Sequence, residues 1–377
     1  MDVIALLVIF FAGILLQSFL FSRYAFYKLD YKCEFSMKEA HVGDELFLVE
    51  TVHNRKFLPV PWLKADIHSS RWLDYAGTKS VIAQENRRVT SNFYLKGYQR
   101  VTRYWKLTCL KRGVFTIDEV TLISGDLLGY SGVSVPVTVG ATIAVYPDMI
   151  DLEKMFINTN YLQGDTIVKR WIVDDPFITA GTREYTPHDP MNRIHWPATA
   201  KQGRLMVRKN DFTSRLKMSI ILNIQSIEYE YDNVVYKERI EIGIRVAATL
   251  LDRALRMGMP VRFATNGCTV DERQKVIFTN EASGKEHVGE IMKMLAKLEL
   301  RNVKDFELFM ADIMGHMENN EVILITSYIN DGICEIARSI SRHSNIVKLF
   351  ILDKFVDLGK LPGDIETYIF SGNIKIT

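Results

Sequence analysis

The residues offering the most chemistry in the shortest span lie at positions 175–211, in DPFITAGTREYTPHDPMNRIHWPATAKQGRLMVRKND. His188, Asp189 and His195 are its clustered acid and base candidates. Such groups move a proton only if a substrate lies within hydrogen-bond reach and their pKa values suit the task. The same stretch holds Arg183, Glu184, Tyr185, Arg193 and Trp196, and these support a plainer reading. Arg183, Glu184, Asp189 and Arg193 would form ion pairs that fix the segment, with Tyr185 and Trp196 packed beneath them. Structural ion pairing is expected here in preference to catalysis. Arg193, Lys201, Arg204, Arg208, Lys209, Arg215 and Lys217 have Asp211 as the one acid among them. That run is either a solvated face or an anionic docking surface. The sequence has no Gly-x-Ser-x-Gly elbow, Walker-type loop, Gly-x-Gly-x-x-Gly fingerprint or His-Glu-x-x-His pair.

Elements with clear periods flank this aperiodic run, which is itself too long for an idle loop. After it, residues 219–224 (SIILNI) form a continuous apolar run, as in a buried parallel strand. A helix over 234–257 follows, with Ile240, Ile244, Ala247, Ala248, Leu251 and Leu255 on one stripe, and Gly258 and Pro260 stop it. Strands are expected over 261–264, 321–326 and 346–352, and helices over 287–298, 305–317 and 331–342. This alternation predicts a parallel sheet flanked by helices over residues 218–377. Ligands of such folds sit at the carboxyl ends of the strands, which directs attention to 223–227 and 326–330. Asn223, Gln225, Ser226, Thr326 and Ser327 would line that edge.

Before the run, residues 31–150 read as short strands rich in β-branched and aromatic residues. The stretches 45–52, 102–110 and 114–122 alternate partly, and 133–145 reads as a strand pair. His41–Asp44 and Lys111–Gly113 look like hairpin turns. Residues 54–62 carry two prolines, which suits an edge or a loop. An all-β sandwich of about seven strands fits this pattern.

Residues 3–21 (VIALLVIFFAGILLQSFLF) carry no charge. As a helix they would span roughly 28 Å, close to the thickness of a bilayer core. No basic n-region and no small-residue cleavage pattern accompanies them, so a membrane helix is expected in preference to a signal peptide. Arg23, Lys28 and Lys32 follow the helix, and the positive-inside rule then places the soluble domains in the cytoplasm of a single-pass protein. Cys33, Cys109, Cys268 and Cys334 are widely spaced, as expected of packed thiols in a reducing compartment. Of the 377 residues, 47 are Lys or Arg and 45 Asp or Glu, for a net charge of +2, which argues against a dedicated nucleic-acid binder.

The aperiodic run carries a resemblance. Arg183-Glu184-Tyr185, His188-Asp189-Pro190, Arg193-Ile194-His195-Trp196, Ala200 and Gly203-Arg204-Leu205-Met206-Val207 resemble the signature of the domain-of-unknown-function 58 family. Weaker matches lie in the β-rich part, at Asn54, Leu58-Pro59-Val60-Pro61, Lys111-Arg112-Gly113, Gly125-Asp126-Leu127-Leu128-Gly129 and Val145-Tyr146-Pro147. The resemblance implies a multidomain chain: an N-terminal transmembrane helix, the all-β sandwich, residues 160–217 bridging the domains, and an α/β von Willebrand factor A-like (Rossmann-like) domain.

The resemblance also implies a link with MoxR-type AAA+ ATPases. Von Willebrand A-like domains that bind Mg²⁺ use Asp-x-Ser-x-Ser after the first strand, where this chain has Asn223, Gln225 and Ile227. A second carboxylate is often found where Thr326-Ser327 stands here. Mg²⁺ requires hard, preferably anionic oxygens, so the site reads as degenerate, with Glu228 and Asp331 the nearest rescuers, and no cofactor is expected. The expectation is a membrane-anchored, non-enzymatic protein-binding scaffold or adaptor, contacting lipid through its helix. Arg183, Glu184, Tyr185, Asp189, Arg193 and Trp196, with the strand-end residues, would form its binding surfaces. Two alternatives stay open: a Mg²⁺-dependent binding module, and an enzyme of cell-envelope metabolism using His188 and Asp189.

Overall fold

The uncharged N-terminal run forms one helix, α1 (Val3–Tyr24), of 22 residues, or about 33 Å at 1.5 Å per residue. The computed structural model describes residues 3–77, 81–126, 132–158, 182–185, 194–208, 217–317, 320–342, 345–356 and 365–372. Phe10, Phe11, Leu15, Leu16 and Phe19 are all exposed, so packing against the rest of the chain does not account for them. Among the described residues, α1 is the one helix long and apolar enough to cross a membrane. It runs three residues past the uncharged stretch and takes in Arg23.

The chain divides into two compact units, residues 1–148 and 149–377. In the first, ten strands are described: β1 (Leu29–Phe35), β2 (Glu39–His41), β3 (Glu45–Asn54), β4 (Val60–Ser70), β5 (Leu73–Tyr75), β6 (Val81–Ala83), β7 (Asn86–Leu95), β8 (Arg100–Cys109), β9 (Gly113–Gly125) and β10 (Gly132–Tyr146). They form two sheets, ordered β1-β3-β8-β5 and β2-β10-β9-β4-β7-β6. Both sheets contribute to one apolar core, Leu46, Leu48 and Leu107 from the first and Ile67, Val89, Val120 and Ile143 from the second. Strand β3 shows why: every second residue from Leu46 to Asn54 is buried.

Several details differ from the sequence reading. The count exceeds seven because β2, β5 and β6 are three-residue edge pieces. Residues 132–146 make one strand, not a pair; the pairing with β9 slips between Thr138 and Ala141, where Gly140 takes φ +62°. That is a β-bulge, which reads like a turn in sequence. The two expected hairpin turns are corners instead: His41–Asp44 leads from the six-stranded sheet to the four-stranded one, and Lys111–Gly113 leads back. At the first corner the Asp44 carboxylate accepts the His41 N–H at 2.8 Å. Pro61 lies in β4, a central strand, at a slip in register between Val60 and Leu63. The slip releases the ladder position at which proline has no N–H to give.

Glu50 lies inside this core. Its Oε1 accepts the Tyr31 hydroxyl at 2.8 Å, and its Oε2 accepts Trp105 Nε1 at 3.0 Å and the Ser91 hydroxyl. Tyr31 and Trp105 belong to one sheet and Ser91 to the other, so a single carboxylate joins both layers. Burial, then the Glu50 carboxylate, raise the pKa of the Tyr31 hydroxyl well above its ordinary range, which keeps it a donor. Glu50→Gln replaces one acceptor oxygen with a donor and should cost about 1–3 kcal/mol, read as a lower melting temperature of this unit in the detergent-solubilised chain. Lys56 is also buried, with Nζ donating to the Ala25 carbonyl at 2.9 Å. Burial pushes its ammonium from 10.5 down to about 8. Between those values the unfolded chain holds more protons, so this group's contribution to stability rises with pH across that window. The melting temperature of Lys56→Met minus that of the wild type should therefore be more positive at pH 7 than at pH 10.

The second unit contains α2 (Leu152–Met155), β11 (Phe156–Asn158), β12 (Thr182–Glu184), α3 (Trp196–Gln202), β13 (Met206–Arg208), β14 (Lys217–Leu222), α4 (Lys237–Met257), β15 (Val261–Thr265), β16 (Gly267–Thr269), β17 (Ile277–Phe278), α5 (Lys285–Lys297), β18 (Leu298–Asn302), α6 (Phe306–Ile313), β19 (Asn320–Thr326), α7 (Asp331–Arg342), β20 (Ile346–Ile351) and β21 (Glu366–Phe370). Its main sheet is ordered β11-β21-β20-β19-β14-β15-β17. The pairings from β21 to β15 are parallel, and β11 and β17 close the edges antiparallel. All seven residues of β19 are buried, as a central parallel strand requires. Strand order reverses at β14, which has its sequence successor β15 on one side and β19 on the other. The crevice between the carboxyl ends of β14 and β19 is thus the topological switch point. Gly243 lets α4 lie close over it; a Cβ there would come within 2.8 Å of Leu352 and 2.9 Å of Leu222.

Candidate functional site at the carboxyl edge of the sheet

Asn223 directly follows β14 and Thr326 ends β19, so their side chains meet at the switch point. Asn223 Nδ2 donates to Thr326 Oγ1 at 3.3 Å, and Thr326 Oγ1 donates to the Tyr328 carbonyl at 3.0 Å. Asn223 Oδ1 accepts the Gln225 N–H at 3.0 Å. Gln225 reaches across the loop: Oε1 accepts the Phe306 N–H at 2.9 Å, and Nε2 donates to the Glu230 carbonyl at 3.1 Å. The Glu230 carboxylate accepts the Ser226 hydroxyl at 2.7 Å, the Ser226 N–H at 2.6 Å and the Val235 N–H at 2.6 Å. Ser226 Oγ in turn accepts the Tyr236 N–H at 2.9 Å, just ahead of α4. From the other side, Asn302 Nδ2 donates to the Glu230 carbonyl at 2.7 Å, and Asn266 Oδ1 accepts the Ile224 N–H at 2.8 Å.

Asn223, Gln225, Ser226, Thr326 and Ser327 are therefore brought together as expected from their strand ends, but all five are buried. What covers them forms the surface of this edge. The loop they fix exposes Tyr229 (77%) and Tyr231 (81%), with Ile227, Val235 and Tyr236 also exposed. Tyr229 and Asp232 hold φ of +60° and +64°, a conformation that non-glycine residues adopt only when their surroundings impose it. A 260 Å³ pocket opens at the same end of the sheet, lined by Tyr236, Arg239, Leu352, Asp353, Phe355 and Phe370 among others. Arg239 pairs with Asp353 at 2.9 Å and lies 4.3 Å over the Tyr236 ring. Large rings with polar tips, exposed on fixed loops, suit contact with another protein.

The same geometry tests the positions at which Mg²⁺ would bind. Asn223, Gln225 and Thr326 spend their polar side-chain atoms on protein partners, and no carboxylate stands among 223, 225, 227, 326 and 327. Glu228 and Glu307 both accept from Asn330 Nδ2 at 3.0 Å; Asp331 opens α7 nearby in sequence. Among the described residues, no three His, Cys, Asp or Glu side chains group as a metal site. These residues do not fit Mg²⁺, which demands near-octahedral, largely anionic oxygen ligation. Burial pushes the Tyr328 hydroxyl up to about 12, so it stays neutral beside Asn223.

The described parts of the central signature form an antiparallel strand pair with a short helix ahead of its second strand. β12 pairs with β13, Glu184 opposite Met206, and Ile194 bridges to Val207. Glu184 forms an ion pair with Arg204, both exposed. Tyr185 is half-buried and donates its N–H to the Leu205 carbonyl at 2.9 Å. His195 Nδ1 accepts the Ala198 N–H at 3.1 Å, so this histidine caps α3. Trp196 is 66% exposed and does not pack beneath the segment; it is the first residue of the short helix α3, which has no buried residues. Arg183 pairs with Val207 through its backbone. His188, Asp189 and Arg193 lie outside the described residues, as do Lys209 and Arg215 of the basic run. Glu230, Asn266 and Asn302 were not singled out in the sequence. The signal was indirect: an Asn, a Gln and a Ser buried at a strand end require partners of their own.

A family described as a protein of unknown function, DUF58, has a model that matches residues 181–363. No curated protein matches the sequence. Among solved structures, a non-cellulosomal cohesin from the hyperthermophilic archaeon Archaeoglobus fulgidus is 12% identical, over 36% of this chain and 99% of its own, with a TM-score of 0.22. The CARDB domain of a Pyrococcus furiosus protein, in complex with di-metal ions, is 15% identical, over 31% and 93%, with a TM-score of 0.20. Escherichia coli alpha-2-macroglobulin activated by porcine elastase is 19% identical, over 34% and 10%, with a TM-score of 0.22.

Removing the Glu230 carboxylate should loosen the tyrosine loop. Glu230→Ala strips three donors of their acceptor and should destabilise this unit by at least about 2 kcal/mol. Millimolar Mg²⁺ should leave the wild-type melting temperature unchanged; a rise would mean that the folded state binds the ion.

Proposed function

We propose that the protein is a membrane-anchored scaffold or adaptor that binds a protein partner through the carboxyl edge of its parallel sheet. One observation carries this reading: a buried polar network, anchored on Glu230, holds Tyr229 and Tyr231 exposed in a fixed loop. A surface that is preorganised before binding loses less conformational entropy when the partner arrives. The α1 helix supports anchoring, and Arg23, Lys28 and Lys32 after it support a cytoplasmic placement of both units. The family match over 181–363 supports reading the whole chain as a DUF58 protein and the parallel-sheet unit as von Willebrand factor A-like, with the degenerate metal positions described above. From that resemblance, the partner proposed is a MoxR-type AAA+ ATPase.

The test is affinity purification of the full-length chain from native membranes in mild detergent, with and without ATP. An AAA+ ATPase should co-purify with the wild type and be reduced at least tenfold by Tyr229→Ala combined with Tyr231→Ala. Both side chains are exposed, so the melting temperature should hold. An ATPase retained in full by the double variant, or none captured by the wild type, would overturn the reading.

A further inference from the structure

The first unit carries a second set of exposed rings, at the end of the sandwich where α1 leaves off. Phe57, between β3 and β4, is 82% exposed. Tyr98, between β7 and β8, is 67% exposed. Tyr24 and Tyr27, at and just after the end of α1, are exposed as well. Hydrogen bonds tie these three places together. The Arg55 N–H donates to the Lys28 carbonyl at 2.9 Å, and Lys56 Nζ donates to the Ala25 carbonyl at 2.9 Å. The Tyr98 N–H donates to the Lys56 carbonyl at 3.1 Å. Buried Asn54 clamps both loops, with Nδ2 donating to the Leu58 carbonyl at 3.0 Å and the Lys96 carbonyl at 2.9 Å. The loops touch so closely that a Cβ on Gly97 would lie 2.3 Å from the Phe57 carbonyl oxygen. Phe57 therefore lies no more than about 7 Å along the chain from Arg55, itself bonded four residues beyond the helix.

Charge at this rim has one prevailing sign. Residues 23–30, 54–59 and 96–99 contain Arg23, Lys28, Arg55, Lys56 and Lys96 against the single acid Asp30. Arg55 pairs with Asp30 at 2.6 Å, which leaves Arg23, Lys28 and Lys96 exposed around the rings. Amphipathic rings favour the headgroup level of a bilayer, and basic side chains are drawn to an anionic leaflet. We propose that Phe57 and Tyr98 insert into the headgroup layer of the bilayer that α1 crosses, seating the sandwich on an anionic phospholipid surface. The occupant of this patch is lipid because the patch is continuous with the helix that enters the lipid. The inference rests on α1 spanning the membrane.

The experiment uses the full chain in vesicles containing anionic phospholipid, with an environment-sensitive fluorophore on Phe57→Cys, Tyr98→Cys or Leu110→Cys. The four native cysteines are buried, so labelling falls on the introduced thiol. Leu110 is exposed and follows β8 at the end away from Tyr98, about 30 Å off at 3.3 Å per residue. Spin-labelled lipids with the quencher at the headgroup should quench positions 57 and 98 at least threefold more than 110. Equal, weak quenching at all three would overturn the proposal. Photoactivatable lipid on the unlabelled wild type provides a second reading: crosslinks should map to 54–59 and 96–99, and their absence there would also overturn it. Flotation with the vesicles separates the underlying assumption. A chain that floats but shows neither signal defeats only this proposal; a chain that does not float defeats the membrane anchor and this proposal together.

Discussion

The buried Glu230 carboxylate is the constraint on which the carboxyl edge of the sheet depends. It is only 4% exposed, and an anion taken out of water at that depth must be held by donors. Ser226 and Val235 supply them, and these two residues stand at opposite ends of the loop that joins β14 to α4. The carboxylate thus closes the loop on itself. Closure explains two otherwise costly features, the positive φ angles of Tyr229 and Asp232. A non-glycine residue holds such a conformation only where neighbouring contacts over-determine it. The ring positions of Tyr229 and Tyr231 are consequences of the same closure, and so is the entry geometry of α4, whose preceding N–H at Tyr236 is received by Ser226.

A cation at the strand ends would draw anionic oxygens toward one point. Here the polarity is inverted: the anion faces inward, and the strand-end side chains are neutral amides and hydroxyls that bond one another. Asn223, Gln225 and Thr326 act as both donors and acceptors, so the network closes without an external charge. These bonds tie the strand ends to the loop, while Ser327 Oγ and Asn302 Oδ1 stay buried without a hydrogen-bond partner. The edge is then shaped by the chain's own side chains.

Sequence patterning reached the parallel-sheet unit well because its strongest signals are long and redundant. The stripe of α4 and the uninterrupted apolar runs of β14, β19 and β20 each repeat one message over many residues. The antiparallel edges β11 and β17, and the short β16–β18 pair, are too brief to carry a period. In the sandwich, local turn chemistry misled in a consistent way. Gly43 and Gly113 mark reversals, yet whether a reversal stays in one sheet or crosses to the other depends on long-range pairing, which local residues do not encode. The bulge at Gly140 was mistaken for a turn for the same reason. At the candidate site the strand-end residues were legible by position, because strand ends follow from the apolar runs. Their burial was not, since it depends on Glu230, Asn266 and Asn302, which lie far apart in sequence and carry no pattern. Trp196 misled because a large ring suggests burial, whereas its place at the start of a short helix leaves it outside.

The link between α1 and the sandwich has its own physical logic. A flexible linker after a membrane helix would let the following unit swing freely, with a reach that grows as the square root of linker length. This chain has no such freedom at its first junction. Four residues separate Tyr24 from Leu29, the first residue of β1, and within them Ala25 and Lys28 are bonded to Lys56 and Arg55. Burying the Lys56 ammonium disfavours its charged form, so the contact carries a cost that an exposed lysine would avoid. Its bond to Ala25 meets a carbonyl just past a helix end, where the last turn leaves backbone acceptors unsatisfied. The cost and the bond serve one geometry: the end of α1 and the start of β1 are held to the loop between β3 and β4 without slack. Orientation is therefore settled when the unit folds, and a contact made later by the sandwich does not have to supply that ordering again.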